Sequence, residues 1–396
     1  MLWLSGVLLT APYRIFADLQ SNGVTVTDQK TNSSNSSNSQ DDVDVDVDVD
    51  AVGWSAIDAS LAALYGDQLP LHMGTLIKHR LGGPDPLDGI SVYYRSHPVP
   101  HWHYVTYGFS ELYDKEQEDQ EESGYGFELT FRLQATPGST EPPRWVFSLL
   151  QNLARYVFST GNVFRPGQWM SANGPIALDT DTRICSMAMT DDPELPALDT
   201  PNGHLRFIQV VGLTLEEEHA AKQWSPQDLL DALLPHMPLW ITDLDRGSLL
   251  DDPALASQVK AGMERDGSSS GFMYTDVLGI AQRRRLLRSA LTEVTLGARQ
   301  AGELCKLLPL RIPFGRPFTL AGRDWRLQFE PGETCGVVTY DQRVVITMTS
   351  ACVQDFAHTL LARAGSYQLA QLPNVSWLVQ KTFIRDASGN VVNTIG

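Results

Sequence analysis

His101 and His103 stand two residues apart in the run HWHYVTY. On a strand, positions i and i+2 share a face, so both imidazoles project to the same side. A His-x-His pair binds zinc or copper when a third ligand joins it, and Glu128 on the neighbouring strand is a candidate. Such a centre would make the chain a metal-dependent hydrolase. The competing and commoner outcome is that two histidines in an aromatic strand are packed, hydrogen-bonded core residues. Asp191-Asp192 and Asp243-x-Asp245 bring carboxylates together, yet acid–base chemistry needs convergent geometry that spacing alone does not supply. No HExxH, Walker loop or kinase signature is present, and no nucleophile, cofactor or phosphate site stands out. The pair Gly82-Gly83 lies in LGGPDPL, where two prolines make a rigid turn the natural reading.

The elements that would hold these residues are legible in part. From Gly124 onward, Phe127, Leu129, Phe131 and Leu133 alternate with Glu128, Thr130 and Arg132, the period of two that a half-buried strand needs. The segment His101–Leu112 is aromatic and β-branched, which suits a second strand of the same sheet. Asp114–Ser123 between them reads as a solvated loop. Trp54, Ile57, Leu61 and Leu64 have helical spacing, stopped by Gly66. Val146–Phe158 carries a continuous apolar stripe ended by Gly161. Strands are expected at Gly89–Tyr94, His204–Leu213 and Leu239–Leu244. Thr214 and Glu217 form a capping box for a helix reaching about Trp224, and Ser225-Pro226 restarts one. Glu264–Gly271 reads as a polar break. Beyond it come a strand at Leu291–Leu296, a helix at Arg299–Leu307 and several strands between Phe318 and Thr349. A helix at Ala351–Ala364 and a strand near Ser376–Arg385 follow. Irregular mixing of helices and strands, without repeated βαβ units, predicts an α+β fold.

With 396 residues and 42% hydrophobic content, the chain has room for two cores. A net charge of −17 argues against nucleic acid and favours a basic protein segment as partner. Part of that charge lies in Met1–Asp50, where eight Asp stand against Arg14 and Lys30. Leu2–Pro12 is apolar but too short to span a bilayer, and it lacks the basic flank of a secretory signal. Asn32 and Asn35 sit in glycosylation sequons within a low-complexity polar tract. The repeat DVDVDVDVD at Asp42–Asp50 would put five carboxylates on one strand face as a calcium ladder, but mutual repulsion favours disorder. Residues 1–53 are therefore expected to be a disordered extension, 54–265 an N-terminal domain, 266–290 a linker and 291–396 a smaller C-terminal domain. A cleft is expected between the two domains. Cys185, Cys305, Cys335 and Cys352 contain no CxxC pair, which suits a reducing, cytoplasmic location.

Several long strings carry a family resemblance. HWHYVTYGFSELY at His101–Tyr113, SGYGFELTFRL at Ser123–Leu133 and LGGPDPLDGISVY at Leu81–Tyr93 resemble the suppressor of fused family. So do LARYVF at Leu153–Phe158, DTPNG at Asp199–Gly203 and WITDLDRGS at Trp240–Ser248. The resemblance implies two domains that close around an extended peptide, which adds a strand between their sheets. It implies a non-catalytic, monomeric regulator that sequesters a protein segment. In animal members that partner is a Gli-type transcription factor. In compact bacterial members, which this chain resembles in lacking a long C-terminal insertion, it is a toxin. Carried over position by position, the resemblance implies partner-binding roles for Tyr156, Phe164, Gln168, Glu303 and Leu307. Gln168 stands where animal members have an aspartate that pairs with a histidine of the peptide. Glutamine accepts a hydrogen bond but does not stabilise a charged imidazole.

Overall fold

The computed structural model describes residues 51–114, 121–178, 180–285, 288–385 and 391–396. The expected disordered extension therefore lies outside the described residues up to residue 50. Its last two residues do not belong to it. The first helix, α1 (Val52–Tyr65), already includes Val52 and Gly53. Gly53 is buried, and its N–H donates to the Leu112 carbonyl at 3.1 Å. A Cβ there would come within 2.0 Å of the Glu111 carbonyl, so only glycine permits this approach.

The N-terminal half is built on one eight-stranded sheet. Its strands are β1 (Leu71–Gly74), β2 (Gly89–Arg95), β3 (His101–Tyr107), β4 (Glu122–Gln134), β5 (Trp169–Ser171), β6 (Ile184–Asp191), β7 (Leu198–Thr200) and β8 (Gly203–Thr214). The order is β1-β2-β3-β4-β8-β6-β5, with β7 beside β8. All pairings are antiparallel except β4 with β8. The alternation read in β4 is realised: Phe127, Leu129, Phe131 and Leu133 enter one apolar cluster with α2 (Trp145–Thr160). The opposite face has two apolar ends. One is covered by α1, through Ile57 and Leu61 on Tyr93, Val105 and Phe207. The other is covered by α3 (Leu215–Gln223), α4 (Pro226–Leu233) and α5 (Pro253–Asp266). Between them lies a strip of buried polar side chains.

The capping box forms as expected, with Thr214 N–H donating to Glu217 Oε2 at 3.0 Å and Glu217 N–H to Thr214 Oγ1 at 3.4 Å. Leu239–Leu244 is not a strand. Leu239 and Trp240 take positive φ, and only Thr242 pairs with β4, donating to the Arg132 carbonyl at 2.9 Å. That turn lets the Trp240 indole donate to the Leu230 carbonyl at 2.8 Å, satisfying a buried N–H that a straight strand would strand.

The stretch 266–290 is not a loose bridge. Glu264–Asp266 closes α5, and Ser268 and Ser270 are buried. Then β9 (Phe272–Tyr274), β10 (Leu278–Arg285) and β11 (Arg288–Gly297) enter two sheets. The α5 start was readable from Asp252-Pro253, since Asp252 caps Ala254 N–H at 2.8 Å and Pro253 opens the helix. After α6 (Ala298–Leu307) come β12 (Phe318–Ala321), β13 (Arg326–Pro331), β14 (Gly336–Thr339) and β15 (Arg343–Met348). α7 (Ser350–Thr359) is shorter than expected, because the chain turns into β16 (Gly365–Gln368). The last expected strand is two: β17 (Val375–Gln380) and β18 (Thr382–Arg385), the latter paired with β19 (Val391–Ile395). The orders are β14-β15-β13-β12-β9 and β10-β11-β17-β16. One cluster, from Val294 to Val379, joins both sheets and shares no residue with the N-terminal clusters. The fold is α+β, in two units.

Candidate functional site

Gly161, at φ 71°, ends α2 and donates to the Val157 carbonyl at 2.8 Å. The chain then doubles back and lays Phe164 against Tyr156, ring centroids 5.8 Å apart and nearly parallel. Asn162 Nδ2 donates to the Tyr156 hydroxyl at 3.2 Å, and burial raises that phenol above its ordinary pKa. Both rings belong to the N-terminal core, at 5% and 3% exposure. Their role in this structure is to shape the turn leading into β5, and neither presents a free face. Gln168 is half-buried at the start of that strand. Its side-chain oxygen accepts from Arg165 N–H at 3.0 Å and its carbonyl from Met189 N–H at 2.9 Å.

Strand β5 is a sheet edge, paired only with β6 among the described residues. The Met170 carbonyl is turned towards β6, where Ser186 Oγ donates to it at 2.8 Å. Successive residues alternate, so Trp169 and Ser171 direct their backbone groups to the open edge. On the neighbouring face Lys222 of α3 holds its ammonium 4.4 Å above the Trp169 ring and pairs with Glu218 at 2.5 Å.

From Lys222 the path continues into the C-terminal unit. Ser268 Oγ donates to the Lys222 carbonyl at 2.6 Å and Ser269 N–H to the Trp224 carbonyl at 2.6 Å. Arg311 Nη1 donates to the Ser268 carbonyl at 2.7 Å. Four residues beyond Ser268 begins β9, the edge of its own sheet, paired only with β12 among the described residues. Strands β5 and β9 thus both lead to a seam at the end of α3, β5 through Trp169 and β9 through Ser268. Helix α6 packs on α3 at the same seam. Burial depresses His219 of α3 most, Glu303 of α6 pulls it up, and Lys222 and Lys306 push it down again. Glu303 is half-buried, whereas Leu307 is 3% exposed in the C-terminal core. Of the five residues singled out in the sequence, Gln168 and Glu303 are the two with surface, and Tyr156, Phe164 and Leu307 are core. The sequence reading passed over Trp169, Lys222 and His219. A signal for Lys222 existed in its i, i+4 spacing from Glu218.

The histidine pair faces inward on the polar strip. His103 is fully buried, bonded to the Tyr65 hydroxyl at 2.5 Å and 3.4 Å from Asp192 Oδ2. Burial and Arg132 lower it to about 4, against the pull of Asp192. His101 Nδ1 lies 2.7 Å from the Val99 carbonyl, and burial lowers its pKa too. Arg132 spans Asp192 at 2.6 and 3.0 Å, reaches Glu194 at 3.0 Å and also donates to Gln209. Burial raises the Asp192 carboxyl, but His103 and Arg132 outweigh it and hold it well below the usual range. Glu128, the expected third ligand, is engaged elsewhere. It accepts from Thr106 Oγ1 at 2.6 Å, Gly108 N–H at 2.9 Å, Ser110 N–H at 2.9 Å and Ser110 Oγ at 2.6 Å. No group of three or more potential ligands converges among the described residues. No described helix is long and apolar enough to cross a membrane.

A family model described as Suppressor of fused protein matches residues 83–247. The chain in the crystal structure of the Sufu–Fu complex is 32% identical, with a TM-score of 0.50, covering 54% of this chain and 97% of that one. This chain belongs to the suppressor of fused family. The suppressor of fused homologues of human and mouse are each 40% identical over 234 residues, 55% of this chain and 48% of the relative. The match thus spans about half the length of those relatives. Drosophila Suppressor of Fused has the same fold across 83% of this chain and 97% of its own, with a TM-score of 0.71 at 23% identity. Within the suppressor of fused family match lie Tyr156, Phe164, Gln168, the β5 edge and the whole polar strip; Glu303 and Leu307 fall outside it.

Proposed function

We propose that this chain is a non-catalytic regulator that captures an extended segment of a partner protein at the seam between its two units. The observation that carries this reading is that two strands with open edges among the described residues, β5 and β9, both lead to the α3 terminus, β5 through Trp169 and β9 through Ser268. A segment laid along β5 would complete the backbone hydrogen bonds of Trp169 and Ser171, the usual source of affinity in strand addition. Gln168 and Glu303 would contact its side chains from the two walls. Tyr156, Phe164 and Leu307 would act from beneath, by fixing the walls. The chain of the Sufu–Fu structure, solved with a protein partner, supports carrying protein binding over to this one. The net charge of −17 supports a basic segment. We place the unit boundary in 264–271, and the four free thiols support a reducing, cytoplasmic setting for a monomer.

Calorimetric titration with extended basic peptides, with and without a histidine, tests the reading. Glu303→Ala is expected to weaken binding of a basic segment about fivefold to tenfold, the scale of one charged contact. Gln168→Asp is expected to strengthen only the histidine-bearing peptide, and more at pH 6 than at pH 8, because a carboxylate favours the imidazolium. If both variants bind every peptide as the parent does, the seam is not the binding site. Binding unchanged by Glu303→Ala but histidine-dependent after Gln168→Asp would confine the site to the β5 wall.

A further inference from the structure

All four cysteines are free, and two of them meet at the start of α7. Cys335 stands in the turn just before β14, and Cys352 in the first turn of the helix. Thr349 caps that helix and links them. Its hydroxyl accepts from Cys352 N–H at 3.1 Å and lies 3.6 Å from Cys335 Sγ. Gln371 Oε1 lies 3.7 Å from the Cys335 sulfur on the outer side. Cys335 is half-buried, whereas Cys352 is fully buried in the C-terminal core.

We propose that Cys335 and Cys352 form a peroxide-reactive dithiol in which Cys335 attacks and Cys352 resolves. The arrangement is asymmetric, as such a pair requires. One sulfur meets solvent and collects donors at a helix N-terminus, the setting that favours a thiolate. The other waits behind it as a neutral thiol. Burial raises Cys335, but the Thr349 and Cys352 hydrogen bonds outweigh it and lower its pKa. Burial and the Cys335 sulfur push Cys352 up. Cys185 and Cys305 lack such donors and are pushed up by burial to about 11 and about 12.

The chemistry balances. The Cys335 thiolate attacks one oxygen of hydrogen peroxide, the O–O bond breaks, and hydroxide leaves, taking up a proton as water. The sulfenic acid left on Cys335 is then attacked by the Cys352 sulfur. An S–S bond forms, the S–O bond breaks, and a second water departs with the Cys352 proton. Two thiols have lost two electrons to one peroxide. Excess thiol reverses the change by exchange. The two cysteines already meet at one hydroxyl, that of Thr349. The site is remote from the β5 edge in the chain and needs no partner.

The full chain, reduced and desalted, is exposed to stoichiometric hydrogen peroxide, and thiols and intact mass are followed. Free thiols are expected to fall from four to two per chain with loss of two hydrogens, and a digest to yield one peptide joining Cys335 to Cys352. With iodoacetamide, Cys335 is expected to label at least about tenfold faster than Cys185 or Cys305, following its greater thiolate fraction. Cys335→Ser is expected to abolish the two-thiol loss. Cys352→Ser is expected to stop at a sulfenic acid on Cys335 that dimedone captures. Equal labelling of the three half-buried cysteines in the unsubstituted chain would overturn the proposal even if Cys352→Ser fails to fold. So would four thiols remaining after peroxide, or a bond joining any other pair.

Discussion

Arg132 is fully buried, and its guanidinium is the only cation in direct contact with Asp192 among the described residues. Removing one partner of such a pair leaves the other charged and dry, which costs far more than the pair itself contributes. Arg132→Met is therefore expected to lower unfolding free energy by about 3–5 kcal/mol in urea titration. The double variant with Asp192→Asn should recover part of that loss. The strip also predicts a pH signature. His103 sits at about 4 in the fold against 6.5 ordinarily, so the unfolded chain takes up its proton first. Stability from this group is whole above about 6.5 and falls as pH drops towards 4, by at most about 3 kcal/mol. Glu128 runs the other way: burial raises it to about 7 from 4.5, so its contribution is whole below 4.5 and is lost as pH rises through 7. Between about pH 4.5 and 6.5 the two slopes oppose and largely cancel, so His103→Gln should leave the unfolding free energy falling as pH rises and Glu128→Gln should leave it rising. A profile unchanged by either substitution would remove the strip as the source of pH dependence. The residue types here were visible in the sequence, and the β4 alternation even set Glu128 and Arg132 on one face. Their partners were not, because Asp192 is 60 residues from Arg132 and meets it only through the parallel pairing of β4 with β8.

In the proposed reading the partner adds to β5, an element of three residues. So short a strand has no readable period, which is why only Gln168 beside it was marked. Its open edge makes a direct test of strand addition. Ser171→Pro removes an N–H that points away from β6 and should cost at most about 1 kcal/mol of stability, since proline is tolerated at a sheet edge. The accompanying loss, a 3.3 Å bond from Asn173 N–H to the Ser171 hydroxyl, is exposed. Partner binding should nevertheless fall at least about tenfold, the effect of one lost backbone hydrogen bond in a formed ladder. A Ser171→Pro protein that binds as before would show that the partner does not add to β5. Tyr156→Ala is a poorer probe: at 5% exposure the ring is packing, and its truncation should cost about 3 kcal/mol of folding stability.

At the scale of the whole molecule, the two units meet through backbone groups. Ser268 Oγ and Ser269 N–H donate to the Lys222 and Trp224 carbonyls. Arg311 braces that stretch from the C-terminal unit by donating to the Ser268 carbonyl and to Pro317 of its own unit, and burial lowers its pKa to about 10. Arg311→Ala strips those donors, leaving Arg316 on Ser268 at 3.1 Å. A loss of about 1–3 kcal/mol is expected, with denaturant unfolding followed by tryptophan fluorescence separating into two steps as the units uncouple. A single transition of unchanged midpoint would show that the seam is held elsewhere. By itself the sequence determined what is local or periodic: α1, α2, the Thr214 capping box, the alternation of β4 and the α+β class. The family strings added the two-unit plan. Only the tertiary structure decided that 272–274 and 278–285 are strands, that Leu239–Leu244 turns, and that Tyr156 and Leu307 are core while Gln168 and Glu303 keep surface. Those outcomes depend on pairings between distant strands and on which face a neighbouring unit covers, and neither leaves a period in the chain.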